Sequence, residues 1–87
     1  MKKIVNVTEV SGEGLEALMG ERVTLFCMNY IYTGNLVGVN STCVLLEDAA
    51  IVYETGELNS KTWKDAQKLP KNWYVQIASI ESFGCLK

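Results

Sequence analysis

The stretch Tyr32-Thr33-Gly34-Asn35-Leu36-Val37-Gly38-Val39-Asn40-Ser41-Thr42-Cys43-Val44-Leu45-Leu46-Glu47-Asp48-Ala49 decides how this chain is read. It has the pattern of two strands joined by a tight loop. Gly34 and Gly38 lie four positions apart, so in an extended strand both project to the face that carries Leu36. Glycine there lets a strand bend and lets a second backbone come close. Asn40-Ser41 is a turn signal, and Cys43-Val44-Leu45-Leu46 is a short apolar run of strand character. A bent strand, a polar tip and a returning apolar strand are the parts from which a small sheet curls into a barrel.

Working outward, Glu21 to Tyr32 reads as a first long strand. Val23, Leu25 and Cys27 share one face, and Thr24, Phe26, Met28 and Tyr30 the other, with Asn29 as a turn or bulge. The third strand runs from about Thr42 to Tyr53, because Ala50-Ile51-Val52-Tyr53 continues its apolar pattern up to Glu54-Thr55-Gly56-Glu57. Ahead of the first strand, Leu15, Leu18 and Met19 stand at helical spacing, and Gly20 suits the left-handed position that ends a helix. Lys2 to Val10 alternates in part and reads as a short edge strand or an arm ordered against a neighbour. Ser11-Gly12-Glu13-Gly14 joins it to the helix, with Ser11 or Glu13 as cap.

Residues 54–72 are the least regular part of the chain. Thr62-Trp63-Lys64-Asp65-Ala66-Gln67-Lys68-Leu69 reads as one or two helical turns, with Trp63, Ala66 and Leu69 at three-residue steps and Pro70 as terminator. Strand character returns between Asn72 and Phe83. Val75 and Ile77 face one way, Tyr74, Gln76 and Ala78 the other, Ser79 marks a bend, and Ile80-Glu81-Ser82-Phe83 begins a last strand. The chain is thus one domain, with an N-terminal arm and short helix over 1–20, three strands over 21–53, an insertion over 54–72 and two strands over 73–87.

The pattern Gly-x-Leu-x-Gly-x-Asn-x-x-x-Val-Leu-Leu-x-Asp-Ala, from Gly34 to Ala49, resembles the first signature motif of the Sm-like (Lsm and Hfq) family. The loop between Gly38 and Val44 is closer in length to the bacterial Hfq branch, and a weaker resemblance runs from about Leu15 to about Phe83. It implies a mainly β fold: a strongly bent five-stranded antiparallel Sm-like (SH3-type) barrel with a short N-terminal helix. It further implies a homo-oligomeric ring, in which the last two strands offer exposed edges that pair head-to-tail with neighbouring copies. A monomeric SH3-like or OB-like barrel is the architectural alternative.

Bulk composition narrows the chemistry. Eighty-seven residues make one small core, of the size that often gains stability from oligomerisation. The net charge of −2 does not favour nucleic acid, so any RNA contact needs a local basic or stacking surface. No apolar run reaches the length of a membrane span, and the N-terminus lacks a signal-peptide core; the expectation is a cytoplasmic protein without a membrane partner. Cys27, Cys43 and Cys85 are widely spaced and read as reduced, the first two as small core residues. Histidine is absent, which removes the commonest general base and a common zinc ligand. No metal or cofactor is expected. No catalytic residue stands out either, because Glu47 and Asp48 would point to opposite faces of a strand and the cysteines lack an activating histidine. The expectation is not an enzyme.

Two surfaces remain as candidates for single-stranded RNA. The Sm-like resemblance implies a pore site built from the loop after the second strand and the join between the last two. At the matching positions stand Asn40, Ser41 and Thr42, and Gln76-Ile77-Ala78. Asn40 keeps the shape of the family's usual Asp. Thr42 sits near the aromatic stacking position without a ring, and Gln76-Ile77 stands where the family carries Arg-Gly or Lys-His. Losing a base–aromatic stack forfeits about 1–3 kcal/mol per base, and losing the cations weakens phosphate attraction. The second surface is the insertion. There Lys61, Lys64, Lys68 and Lys71 bring four of the chain's eight basic residues into eleven positions, flanked by Trp63 and Trp73. Basic residues interleaved with aromatics suit single-stranded nucleic acid, and equally suit a solvated face with an anchored tryptophan. The functional expectation is a ring-forming RNA-binding or RNA-chaperone-like module with a degenerate nucleotide pocket. The alternative is a structural or adaptor oligomer that has lost RNA binding.

Overall fold

A computed structural model describes residues 14–87. The expectations for Lys2–Val10 and for a cap at Ser11 or Glu13 lie outside these residues. The described chain is mainly β, in one antiparallel sheet of six strands: β1 (Arg22–Cys27), β2 (Ile31–Val39), β3 (Cys43–Glu54), β4 (Asp65–Lys68), β5 (Trp73–Gln76) and β6 (Ile80–Gly84). The strand order is β4-β3-β2-β1-β6, with β5 also on β3.

Three expectations about the architecture are corrected. Among the described residues the sheet has six strands rather than five, and it is not closed into a barrel, since there β6 pairs only with β1 and β5 only with β3. The added strand is β4, in the segment expected to form helical turns at Thr62–Leu69. That segment is too short for a helix to hold on its own. The far half of β3 offers it a free ladder edge instead, with Ala50, Ile51 and Val52 opposite Lys68, Gln67 and Ala66. The N-terminal helix is only a 3-10 turn, Gly14–Leu18, set between Gly14 and Gly20 at positive φ of 66° and 86°. Leu15 and Leu18 pack against the core, whereas Met19, expected on the same face, is 45% exposed.

The first hairpin turns earlier than the sequence implies. β1 ends at Cys27, and Met28-Asn29-Tyr30 makes the connection, with Cys27 N–H donating to Tyr30 O at 3.0 Å. Both faces of β1 are covered: Val23, Thr24 and Leu25 are all fully buried. The core is built from Val23, Leu25, Leu36, Val44, Leu46, Ala49 and Val75, so β1, β2, β3 and β5 each contribute.

The ribbon of β2 and β3 carries two compensating irregularities. Thr33 lies opposite Ala50 but Asn35 lies opposite Glu47, so β3 holds one extra residue there. Asp48, at φ 52°, sits within that bulge. Leu36 lies opposite Leu46 but Gly38 opposite Leu45, so β2 holds one extra residue in turn, with Val37 skipped. This second bulge moves Gly38 away from the face of Leu36, against the simple alternation expected. Gly34 backs onto the buried Leu46, whereas Gly38 backs onto the half-buried Leu45. Bulges of this kind bend a strand and raise its local twist.

Candidate functional site

The β2–β3 turn is organised by Asn40. Its side-chain carbonyl accepts hydrogen bonds from the N–H of Thr42 at 2.8 Å, the N–H of Cys43 at 2.8 Å and the hydroxyl of Thr42 at 3.1 Å. Its own N–H donates to Cys43 O at 3.0 Å. This is the local side-chain-to-backbone bonding that makes asparagine a turn residue. The Asn40 oxygen is therefore committed to holding the loop, while Ser41 and Thr42 project exposed at its tip.

The sheet brings the second predicted segment alongside this turn. β5 lies antiparallel to the start of β3, with Cys43 opposite Gln76, Val44 opposite Val75 and Leu45 opposite Tyr74. Beyond the Cys43–Gln76 pair, Ile77 N–H donates to Thr42 O at 2.9 Å. A 3-10 turn, Ile77–Ser79, then carries the chain from β5 into β6, braced by the Ser79 hydroxyl donating to Gln76 O at 2.8 Å. Asn40, Ser41 and Thr42 thus meet Gln76 at one end of the sheet, although Gln76 lies far from them in the chain.

Beside them lies an open cavity of about 240 Å³ lined by Gly38, Val39, Asn40, Cys43, Leu45 and Tyr74. Gly38 leaves the floor low, since a Cβ there would stand 3.3 Å from the Cβ of Leu45. Tyr74 forms a wall and is 67% exposed. Sequence reasoning missed Tyr74 as a site residue, because it looked for a ring in the β2–β3 loop and the ring comes from β5. The alternation of β5, with Val75 buried between exposed Tyr74 and Gln76, is the signal that could have found it. Cys43, expected in the core, instead lines this cavity and is half-buried.

The lysines of the insertion lie elsewhere. Lys64 is paired with Glu54 at 3.3 Å and Lys68 with Asp48 at 2.6 Å, both at the far half of β3 or just beyond it. Lys61 is exposed in the loop between β3 and β4. The two candidate surfaces are therefore separate, and two of the insertion's four lysines already have acidic partners.

Asp48 is bound from two sides. Besides Lys68, Arg22 Nη1 lies 3.3 Å from its carboxylate and donates to its main-chain oxygen at 3.0 Å. The Lys68 hydrogen bond, then the Lys68 and Arg22 charges, hold the Asp48 carboxyl below the ordinary carboxylate range. Burial pushes the Cys27 thiol up, with the Glu81 charge in the same sense and a Ser79 hydrogen bond opposing. A thiol shifted this way is a poor nucleophile. Among the described residues the three cysteines are free, and no group of three histidine, cysteine or acidic side chains is arranged to hold a metal. No helix among them is long and apolar enough to cross a membrane.

No protein-family model matches the chain, and no curated protein matches it significantly. The site must be read from its own geometry.

Proposed function

We propose that this chain is an Sm-like, ring-forming module that binds single-stranded RNA by stacking. The observation that carries the RNA reading is the cavity at the β2–β3 turn. It is open, floored by Gly38 and Leu45, and walled by the exposed ring of Tyr74. In this reading Tyr74 replaces the aromatic that the loop Asn40-Ser41-Thr42 lacks. Asn40 shapes the rim, with Thr42 and Gln76 at the same end of the sheet. Stacking tolerates any base and is worth about 1–3 kcal/mol per base. A ring repeats the pocket in every subunit, and repetition on one strand multiplies weak contacts.

The ring reading rests on two of the three strands that, among the described residues, pair on one side only. β5 and β6 each pair on one side only, and they are joined by the short 3-10 turn Ile77–Ser79. Each edge presents unpaired backbone groups and exposed aromatics, Trp73 and Tyr74 on β5 and Phe83 on β6. One edge meeting the other on the next copy is a heterologous contact, which closes as a ring when the rotation allows.

One observation favours the adaptor alternative: among the described residues no lysine or arginine lines the cavity. Phosphate attraction is then weak. The deciding experiment titrates labelled oligo-U and oligo-A into wild-type protein and Tyr74→Ala at two salt concentrations. Micromolar binding by wild type, weakened at least tenfold by Tyr74→Ala, supports the stacking site. Binding lost instead in Lys61→Ala/Lys64→Ala/Lys68→Ala assigns RNA to the insertion. No binding at low salt by an intact oligomer leaves the adaptor.

A further inference from the structure

The loop between β3 and β4 holds an arrangement that neither the sheet edges nor the cavity uses. The ammonium of Lys87 donates to three main-chain oxygens of this loop, those of Thr55 at 3.0 Å, Glu57 at 2.6 Å and Thr62 at 3.1 Å. The same nitrogen stands 4.6 Å from the ring centroid of Trp63. A lysine ammonium has three N–H donors and no acceptor, so three converging carbonyls match it donor for donor. The indole face adds the attraction of its quadrupole for a cation.

The loop has internal bonds of its own that shape this cradle. Ser60 N–H donates to Glu57 O at 3.0 Å, and Lys64 N–H to Thr55 O at 3.4 Å, which close the loop on itself. Gly56 takes φ 67°, and a Cβ there would stand 3.2 Å from the Cβ of Lys64. Glycine thus permits both the turn and the close approach that aim the neighbouring carbonyls inward. Among the described residues, none of the groups that meet the ammonium is a carboxylate. Recognition comes from oriented backbone dipoles and one aromatic face, which distinguishes this contact from the exposed ion pair of Lys64 with Glu54.

We propose that residues 55–63 form a receptor for a primary ammonium group, and that Lys87 is the ligand it holds within this chain. The match is to N–H donors as well as to charge. A quaternary ammonium brings no donor, and the planar fork of a guanidinium does not aim three donors at one converging set. Occupation by Lys87 ties the segment after β6 to the loop after β3, across a sequence separation of 30 residues for Glu57. It gives β6, otherwise paired only with β1, a second anchorage.

The test follows thermal unfolding of wild type and Lys87→Ala in methylammonium, tetramethylammonium, potassium and sodium chlorides at equal ionic strength. Lys87→Ala unfolds at a lower temperature than wild type, and methylammonium raises its midpoint in a saturating manner while leaving wild type unmoved. An equal response of both proteins, or an equal response to tetramethylammonium or potassium, overturns the proposal. Where Lys87→Ala does not fold, lysine-selective nitrogen-15 NMR of wild type decides. One ammonium with slowed proton exchange and a ring-current shift, the shift removed by Trp63→Leu, supports the receptor. Uniform, fast-exchanging lysine ammonium signals overturn it.

Discussion

Gly34 is the most closely packed of the described glycines. A methyl group there would stand 3.0 Å from Leu46 Cβ, 3.2 Å from Ala49 Cα and 3.2 Å from Glu47 O. Two of those neighbours are main chain of the bulged strand and cannot swing aside. Gly34→Ala therefore overpacks the core, with an expected loss of about 1–3 kcal/mol, read as a lower urea midpoint. An unchanged midpoint would mean that the bulge absorbs the methyl. Thr24 has the opposite fault. It is fully buried, and its hydroxyl has no hydrogen-bond partner among the described residues, whereas the facing Thr33 donates to Val23 O at 2.9 Å. Thr24→Val replaces the hydroxyl by a methyl of similar size and removes a buried polar atom. The expected gain is about 1 kcal/mol by the same measurement; a loss would point to a partner for that oxygen.

β3 serves three neighbours, and Asp48 is where it changes between two of them. Along one edge it pairs with β2 throughout; along the other, Cys43–Leu46 pair with β5 and Ala50–Glu54 with β4. The carboxylate at the break draws in Arg22 from β1 and Lys68 from β4. Because its pKa is lowered on folding, Asp48 contributes stability above the ordinary carboxylate range, and that contribution is lost as pH falls through the lower folded value. Asp48→Asn keeps a residue tolerant of positive φ but removes the charge. It is expected to be less stable than wild type at neutral pH and to converge on it in acid, with the gap narrowed by added salt because the pairs are exposed. Parallel pH curves for the two proteins would rule out this role.

The proposed ring depends on the open edges. Among the described residues β5 and β6 do not pair with each other, and the outer edge of each is without a ladder partner. Phe83, 42% exposed on β6, is the place to test this. A lysine there adds charge to the edge, which is how natural sheets discourage pairing. Light scattering behind a sizing column should give a multiple of the chain mass for wild type and a single-chain mass for Phe83→Lys. A wild-type particle with the mass of one chain would remove the ring. It would also leave Tyr74 as an isolated pocket wall, without the repetition that raises avidity.

Local chemistry made several features legible in advance: the Asn40 turn, the long third strand, the left-handed Gly20 and the bend near Ser79. Each depends on neighbours in sequence or on simple strand alternation. What could not be read there came from long-range pairing. One extra residue in each of two paired strands turned Gly38 to another face, and a free stretch of β3 captured Asp65–Lys68 as a strand against its helical spacing. Tyr74 became a cavity wall only because β5 fell beside Leu45, and Lys87 found three carbonyls some thirty residues away. Hydrogen-bond ladders are satisfied by whichever edge is within reach, and which edge that is depends on how the whole sheet bends.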